Sequence, residues 1–164
     1  MSFPIIFIFH LIGFGILATT LLAGFILERN FERENDERLK SAIGGISRTI
    51  GLLSPIAAII LLLSGIGNIY YRHLGNTLPW YSEGWLVAKI ILFVVLILNG
   101  VLYGPQLVRK RRKLLTAQTE QSAPPNADKL LRSFSRQIKL FYFVQTLILL
   151  LILCLSVFGA GKHS

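Results

Sequence analysis

The chain has 164 residues, of which 53% are hydrophobic and 15% are charged. A soluble globular domain usually contains about 25% charged residues, so the composition is typical of a membrane protein and excludes an ordinary soluble domain. There are 17 Lys and Arg residues against 8 Asp and Glu, which gives a formal charge of +9. The single cysteine excludes an intramolecular disulfide, a CxxC redox pair and an all-thiolate metal cluster, because each requires at least two thiols.

Four apolar stretches are long enough to cross a hydrocarbon core of about 30 Å. The first lacks a preceding basic residue and a following A-x-A site, so we expect it to remain in the mature protein and not to be cleaved as a signal peptide. Pro55 falls in the first turn of the second stretch, and Pro105 is expected to close the third. The four predicted spans cover 3–27, 50–71, 84–103 and 140–158.

The pattern predicts an all-α integral membrane protein: a four-helix bundle with antiparallel neighbours, forming a single membrane domain over 1–164. Fourteen of the 17 basic residues lie in the two connecting segments, five in 28–49 and nine in 104–139. The positive-inside rule therefore places both segments in the cytoplasm as loops and both termini on the external side.

The first connection has acidic and basic residues at helical spacing. Glu34 with Arg38, and Asp36 with Lys40, are four residues apart with the acid first, an order that supports a helix. We therefore expect the first helix to continue past the membrane and to end at Gly44-Gly45. The second connection contains a polar stretch, 118–126, which is typical of a flexible linker.

Five consecutive basic residues follow the third span. One interpretation is that these residues bind anionic lipid or a partner protein electrostatically. The simpler interpretation is that they only determine the topology of the chain in the membrane. Nucleic-acid binding is excluded, because no aromatic residues alternate with the basic run. The five residues are Arg109, Lys110, Arg111, Arg112 and Lys113.

Small and polar residues form one stripe along each span. In lipid, helices associate through close packing and a few polar contacts, so these stripes are expected to face the bundle interior. They are His10, Gly13, Leu17, Thr20 and Gly24 in the first span; Gly51, Ser54, Ala58, Leu61, Gly65 and Asn68 in the second; Trp85, Lys89, Leu92, Leu96, Asn99 and Tyr103 in the third; and Gln145, Leu149, Ile152 and Ser156 in the fourth.

Two stripe residues carry more chemistry than packing requires. An ionisable residue inside a span is costly and is a functional candidate by default, which applies to His10 and Lys89. The alternatives are a hydrogen-bonded core imidazole for His10 and, for Lys89, an ammonium group that extends to the membrane surface or makes a structural hydrogen bond.

The central part of the chain resembles a known superfamily. The segments "SRTIGLLSPIAAIILLLSGIGNIYYRH" and "EGWLVAKIILFVVLILNGVLYGPQLVRKRRK" are similar to small bacterial membrane proteins. The matching features are His10 in the first span, Gly65 after a long apolar run, and Lys89 after Gly84-Trp85. That superfamily groups the copper-resistance protein D type with the four-helix membrane protoporphyrinogen oxidase, and the resemblance is greatest to its uncharacterised branch. Asn99 stands where the oxidase pattern has a histidine. The resemblance implies the bacterial inner membrane and a haem-binding bundle.

The predicted topology brings all three histidines to the external side. We hypothesise a haem or metal site there, with His10 and His73 as metal ligands, Lys89 paired with a propionate, and Trp85 as a wall of the site. Further aromatic residues expected around it are Trp80, Tyr70 and Tyr71, and the third histidine is His163. We do not expect a copper(I) pathway, since Met1 and Cys154 are the only soft ligands.

Two functional hypotheses follow. The first is a haem-binding or redox-linked membrane protein with its cofactor near the outer face. The second is a non-catalytic accessory or scaffold subunit of a larger respiratory or photosynthetic membrane complex. The sequence assigns no catalytic residue: Cys154 lies in an apolar helix without a basic neighbour to activate it.

Overall fold

The computed structural model describes residues 3–74, 79–120, 122 and 124–160, and this part of the chain is almost entirely helical, with no β-strand. A short 3₁₀ turn, Trp80–Ser82, precedes α4, and a π-helical turn, Asn99–Tyr103, separates α4 from α5. The helices are α1 (Phe3–Arg33), α2 (Glu37–Gly51), α3 (Leu53–His73), α4 (Gly84–Leu98), α5 (Gly104–Thr119) and α6 (Ala127–Ala160).

These helices form four long rods, each apolar and long enough to cross a membrane. The second rod combines α2 and α3, because the backbone at Leu52 stays helical between them. The third combines α4, the π-helical turn and α5. At 1.5 Å per residue each rod is roughly 50 Å long, so about 20 Å extends beyond the hydrocarbon core.

The rods are antiparallel neighbours around α1 and α6. α1 packs against α3 and α6, and α4 packs against α6. Within the described residues, α3 and α4 have at most isolated close backbone contacts, fewer than the other neighbouring rods. We call the end where α1 and α4 begin the terminal end, and the opposite end, which carries two of the three connections between rods, the connection end.

The predicted interior stripes are confirmed on the first and fourth rods and only in part on the second. Gly13, Leu17, Thr20 and Gly24 are all buried on α1, and so are Gln145, Leu149 and Ile152 on α6. On α3 the buried residues are Ala57, Leu61 and Ser64, which shifts the stripe by about one residue. Gly51 on the second rod and Tyr103 on the third rod are exposed.

The prediction that the first helix ends at Gly44-Gly45 is wrong. The break lies earlier, between Arg33 and Glu37, and both glycines are inside α2. Asp36 causes this break, since its carboxylate accepts the Arg38 backbone N–H at 2.8 Å and caps the start of α2. A side chain that caps a helix competes with the continuous helix that the charge spacing suggested.

The prediction that Pro105 closes the third helix is also wrong. Proline removes one N–H group and clashes with the carbonyl group four residues before it, which normally ends a helix. Here the π-helical turn before Pro105 accommodates this disruption, and the rod continues as α5 to Thr119. The segments 28–49 and 104–139, predicted as loops, are therefore largely helical extensions of the rods.

Candidate functional site

His10 lies near the terminal end and forms a hydrogen bond with α3. Its Nδ1 atom is 2.9 Å from the Ser64 hydroxyl oxygen, which lies 2.6 Å from the Ile60 carbonyl oxygen. The Ile60 carbonyl can only accept and a serine hydroxyl has one proton, so Ser64 donates to Ile60 and accepts the His10 Nδ1–H. The imidazole lone pair is then on Nε2.

Two cationic side chains lie over one indole ring at this end. The Arg72 guanidinium carbon is 5.1 Å from the centroid of the Trp85 ring, and the Lys89 ammonium nitrogen is 5.9 Å from it. Arg72 also lies 3.9 Å from a carboxylate oxygen of Glu83. Cation–π contacts at these distances are attractive, so Trp85 holds charged groups of α3 and α4 together.

The Trp85 ring is itself held in place by α6. A Cβ atom added at Gly159 would lie 2.7 Å from the ring, so a residue larger than glycine would displace it. The indole Nε1–H is buried without an acceptor in the described part of the chain, and Asn68 Oδ1 is buried without a donor. Buried polar atoms are usually paired, so each of these atoms has an unused capacity for a hydrogen bond.

The structure brings together three of the residues predicted for the site. His10, Lys89 and Trp85 lie at the terminal end. The Lys89 ammonium group is within range of an electrostatic interaction with the His10 ring. The Arg72 guanidinium group is within range of an electrostatic interaction with Lys89. We call the following six side chains the polar end cluster: His10, Ser64, Arg72, Glu83, Trp85 and Lys89.

Two of the predicted aromatic walls, Tyr70 and Trp80, are not part of this cluster. His73 ends α3 about 13 Å beyond Ser64 along the helix axis, and its side chain and the whole of His163 lie outside the described residues. Tyr70 and Trp80 are exposed, and their rings contact Tyr71 and Tyr81 instead.

Ser64, Arg72 and Glu83 were not predicted as site residues. Arg72 lies one helical turn after Asn68, so extending the predicted interior stripe would have reached it. Ser64 had no comparable signal, because the predicted stripe on this helix passed through Gly65 instead. Glu83 joins the cluster through Arg72, a contact between two rods that helical spacing does not show.

A second polar cluster lies toward the connection end. One Arg111 nitrogen donates to both carboxylate oxygens of Glu28, at 2.5 and 2.7 Å, and the guanidinium lies 4.4 Å from the Phe31 ring centroid. Both charged residues are buried, with Glu28 4% and Arg111 8% exposed. Arg111 therefore does not share the exposed position of the other four residues in its basic run.

No protein-family model, curated protein or solved structure matches this chain. Among the described residues there is also no group of three or more His, Cys, Asp or Glu side chains that could hold a metal ion. The fold defines the chain as a multi-pass membrane protein built as a helical bundle, and its function has to be argued from the polar end cluster.

Proposed function

We propose that this protein binds haem at the polar end cluster, with Nε2 of His10 as the iron ligand. The observation that carries the proposal is the hydrogen bond from His10 Nδ1–H to Ser64. Histidines that bind a metal typically donate their other ring N–H to a fixed acceptor, which sets the tautomer and the ring orientation. His10 has this arrangement inside a transmembrane helix, where an unused polar side chain would be costly.

The surrounding side chains fit the chemistry of haem. Lys89 and Arg72 provide positive charge for the propionates, and Trp85 provides an aromatic wall. The described side chains of the cluster contain a single histidine, so they supply one axial ligand, and His73 as a second ligand stays a prediction. Bound haem would supply one-electron redox chemistry. The residues themselves would orient the imidazole and neutralise the propionates.

The sequence resemblance supports the same proposal. The copper-resistance protein D and protoporphyrinogen oxidase-like superfamily consists of small bacterial membrane proteins, and we propose that this chain belongs with its uncharacterised branch. We further propose that it resides in the bacterial inner membrane with its terminal end, and hence the haem, near the external face. The distribution of basic residues supports this orientation.

The haem proposal is tested by the reduced-minus-oxidised absorption spectrum of the purified protein. We expect a Soret band in the wild type that His10→Ala removes and His163→Ala leaves intact. A well-folded wild-type protein that binds no haem even after reconstitution would contradict the proposal. Undiminished haem in His10→Ala would also contradict it.

The second candidate function is an accessory subunit of a larger membrane complex. A groove on the outer surface of α1 contains Gly15, Thr19 and Ala23 at four-residue spacing, next to Ile50 and Leu53. Small residues at this spacing allow close approach of another transmembrane helix. If this function is correct, Gly15→Leu should release a co-purifying membrane subunit, whereas Gly45→Leu, on an exposed part of α2, should retain it.

We also propose that the exposed part of the basic run binds anionic lipid. Arg109, Lys110, Arg112 and Lys113 are exposed just beyond the third span, where each contributes about 1 kcal/mol of attraction to an anionic surface. Replacing these four with Gln should reduce the phosphatidylglycerol retained by the purified protein. Arg29→Gln with Arg33→Gln, at the exposed end of α1, is the control pair and should retain more lipid.

A further inference from the structure

The polar end cluster has more positive than negative charge. Arg72 forms an ion pair with Glu83. Within the described residues Lys89 has no acidic partner. Its ammonium group lies over the Trp85 ring, and the nearby charge that acts on it is the like charge of Arg72. Lys89 is five residues inside α4, about 8 Å from its start. An ammonium group at this depth is costly unless an anion accompanies it.

The cluster also contains an unused hydrogen-bond donor. The Trp85 indole N–H is buried without an acceptor in the described part of the chain, although the same ring contacts both cations. Gly159 lets this ring pack directly on α6, so the position of the N–H group is well defined. An ammonium group, a guanidinium group and an indole N–H all bind anionic oxygen atoms.

The helices α3 and α4, which carry Arg72, Trp85 and Lys89, both present apolar side chains to the bilayer. The two helices lack extended close backbone contact in the described residues, and both expose apolar side chains along their length. Examples are Ile59 and Ile66 on α3 and Ile91 and Leu98 on α4. The apolar tail of a ligand could therefore lie against these helices in the hydrocarbon while its head group binds at the cluster.

We infer that Lys89, Arg72 and the Trp85 indole N–H form a binding site for the carboxylate head of an acidic amphiphile that enters from the lipid. The inference rests on the same site as the proposed function and names the chemical class of its ligands. Haem, with its propionates, is one member of this class, but none of the three donors is an iron ligand. Binding of an acidic amphiphile therefore does not require His10.

Tryptophan fluorescence tests the inference directly. In a Trp80→Phe background Trp85 is the single tryptophan, and the protein is placed in nanodiscs of neutral phosphatidylcholine. Brominated undecanoate, whose bromine quenches nearby indole rings, is the probe, with its uncharged methyl ester and with acetate as matched probes. We expect saturable quenching by the carboxylate, weaker and non-saturable quenching by the ester, and no competition from acetate.

Variants separate this inference from the haem proposal. Lys89→Met should weaken undecanoate binding about tenfold, the effect expected for losing one charge-assisted contact, while Lys89→Arg should preserve it. Lys129→Met, at an exposed position near the start of α6, is the surface control and should bind normally, with circular dichroism verifying the fold of each variant. His10→Ala should lose haem but keep undecanoate binding, so a haem-free protein that still shows saturable quenching contradicts only the haem proposal.

Three results would overturn the inference. Equal quenching by the ester would show simple partitioning into the bilayer, and equal binding by acetate would show a site for small anions. Unchanged undecanoate affinity in a folded Lys89→Met variant would show that the ammonium group does not bind the carboxylate.

Discussion

The Ser64 hydroxyl group determines which ring nitrogen of His10 carries the proton. Ser64 and Ser156 both donate to the carbonyl group four residues earlier in their helices, at 2.6 and 2.8 Å. Among the described residues, Ser64 alone of this pair also accepts from a histidine. The two serines therefore have the same local geometry but different expected roles.

We expect Ser64→Ala to lower haem affinity by about tenfold, because the imidazole loses the acceptor that orients it. Ser156→Ala should leave haem affinity unchanged. Haem titration of both variants, followed at the Soret band, measures the difference. Equal affinities in the two variants would show that the His10–Ser64 hydrogen bond does not support a ligand.

The Glu28–Arg111 pair makes a second prediction at this scale. Breaking a buried ion pair leaves one charge uncompensated, so Glu28→Gln and Arg111→Gln should each lower the free energy of unfolding by roughly 3–5 kcal/mol. Glu32 and Lys139 form a comparable contact at 2.5 Å but are partly exposed, so Glu32→Gln should cost less than about 1 kcal/mol. Denaturant unfolding in detergent measures these costs.

The Glu28–Arg111 prediction requires an ordering of the three variants. If Glu32→Gln destabilises the protein as much as Glu28→Gln, burial does not control the strength of these ion pairs. A double-mutant cycle between Glu28 and Arg111 measures the interaction energy of the pair separately from the cost of leaving one buried charge unpaired.

At the level of the helix, the π-helical turn sets the rotation of α5 relative to α4. A π-helical turn contains more residues than an α-helical turn, so it changes the direction in which each later side chain points. It therefore determines which face of α5 is turned toward α1. Gln145 supports this geometry from α6, since its side-chain nitrogen donates to the Leu96 carbonyl at 3.1 Å. Arg111 faces Glu28 as a result, while its neighbours Lys110 and Arg112 are exposed.

Deleting Val101 from the π-helical turn should therefore disrupt the ion pair. Removing one residue rotates the rest of the rod by about 100°, which turns Arg111 away from Glu28. We expect the coupling between these two residues to fall to near zero in a double-mutant cycle. Deletion of Ala117, which follows Arg111 along α5, is the control and should preserve the coupling.

At the level of the whole molecule, the orientation in the membrane is the main prediction. In a Cys154→Ser background, Ser41→Cys and Ser122→Cys should resist an impermeant thiol reagent in intact cells and react after permeabilisation. Tyr81→Cys, in the exposed turn before α4, should react in intact cells. Labelling of both serine positions from outside would reverse the topology and place the polar end cluster on the cytoplasmic side.

Much of the architecture was predictable because it depends on local pattern. Four apolar stretches predict four spans, since their length only has to match the bilayer. The stripe from Gly13 to Gly24 predicts the buried face of α1, because helical periodicity places these residues on one side. The predictions of two helix ends were wrong because a local feature overrode the sequence pattern at each. The Asp36 side chain caps α2, and the π-helical turn allows the rod to continue past Pro105.

The candidate site was predictable only in part. His10, Lys89 and Trp85 were identified because polar residues in apolar spans are conspicuous in the sequence. Their partners Ser64 and Arg72 depend on how far each rod is rotated and displaced relative to its neighbours. Likewise, nothing in the run from Arg109 to Lys113 distinguishes Arg111, which lies 83 positions from Glu28. Hydropathy and periodicity are properties of one helix, whereas these pairings arise from packing between helices, so they become visible only in the assembled bundle.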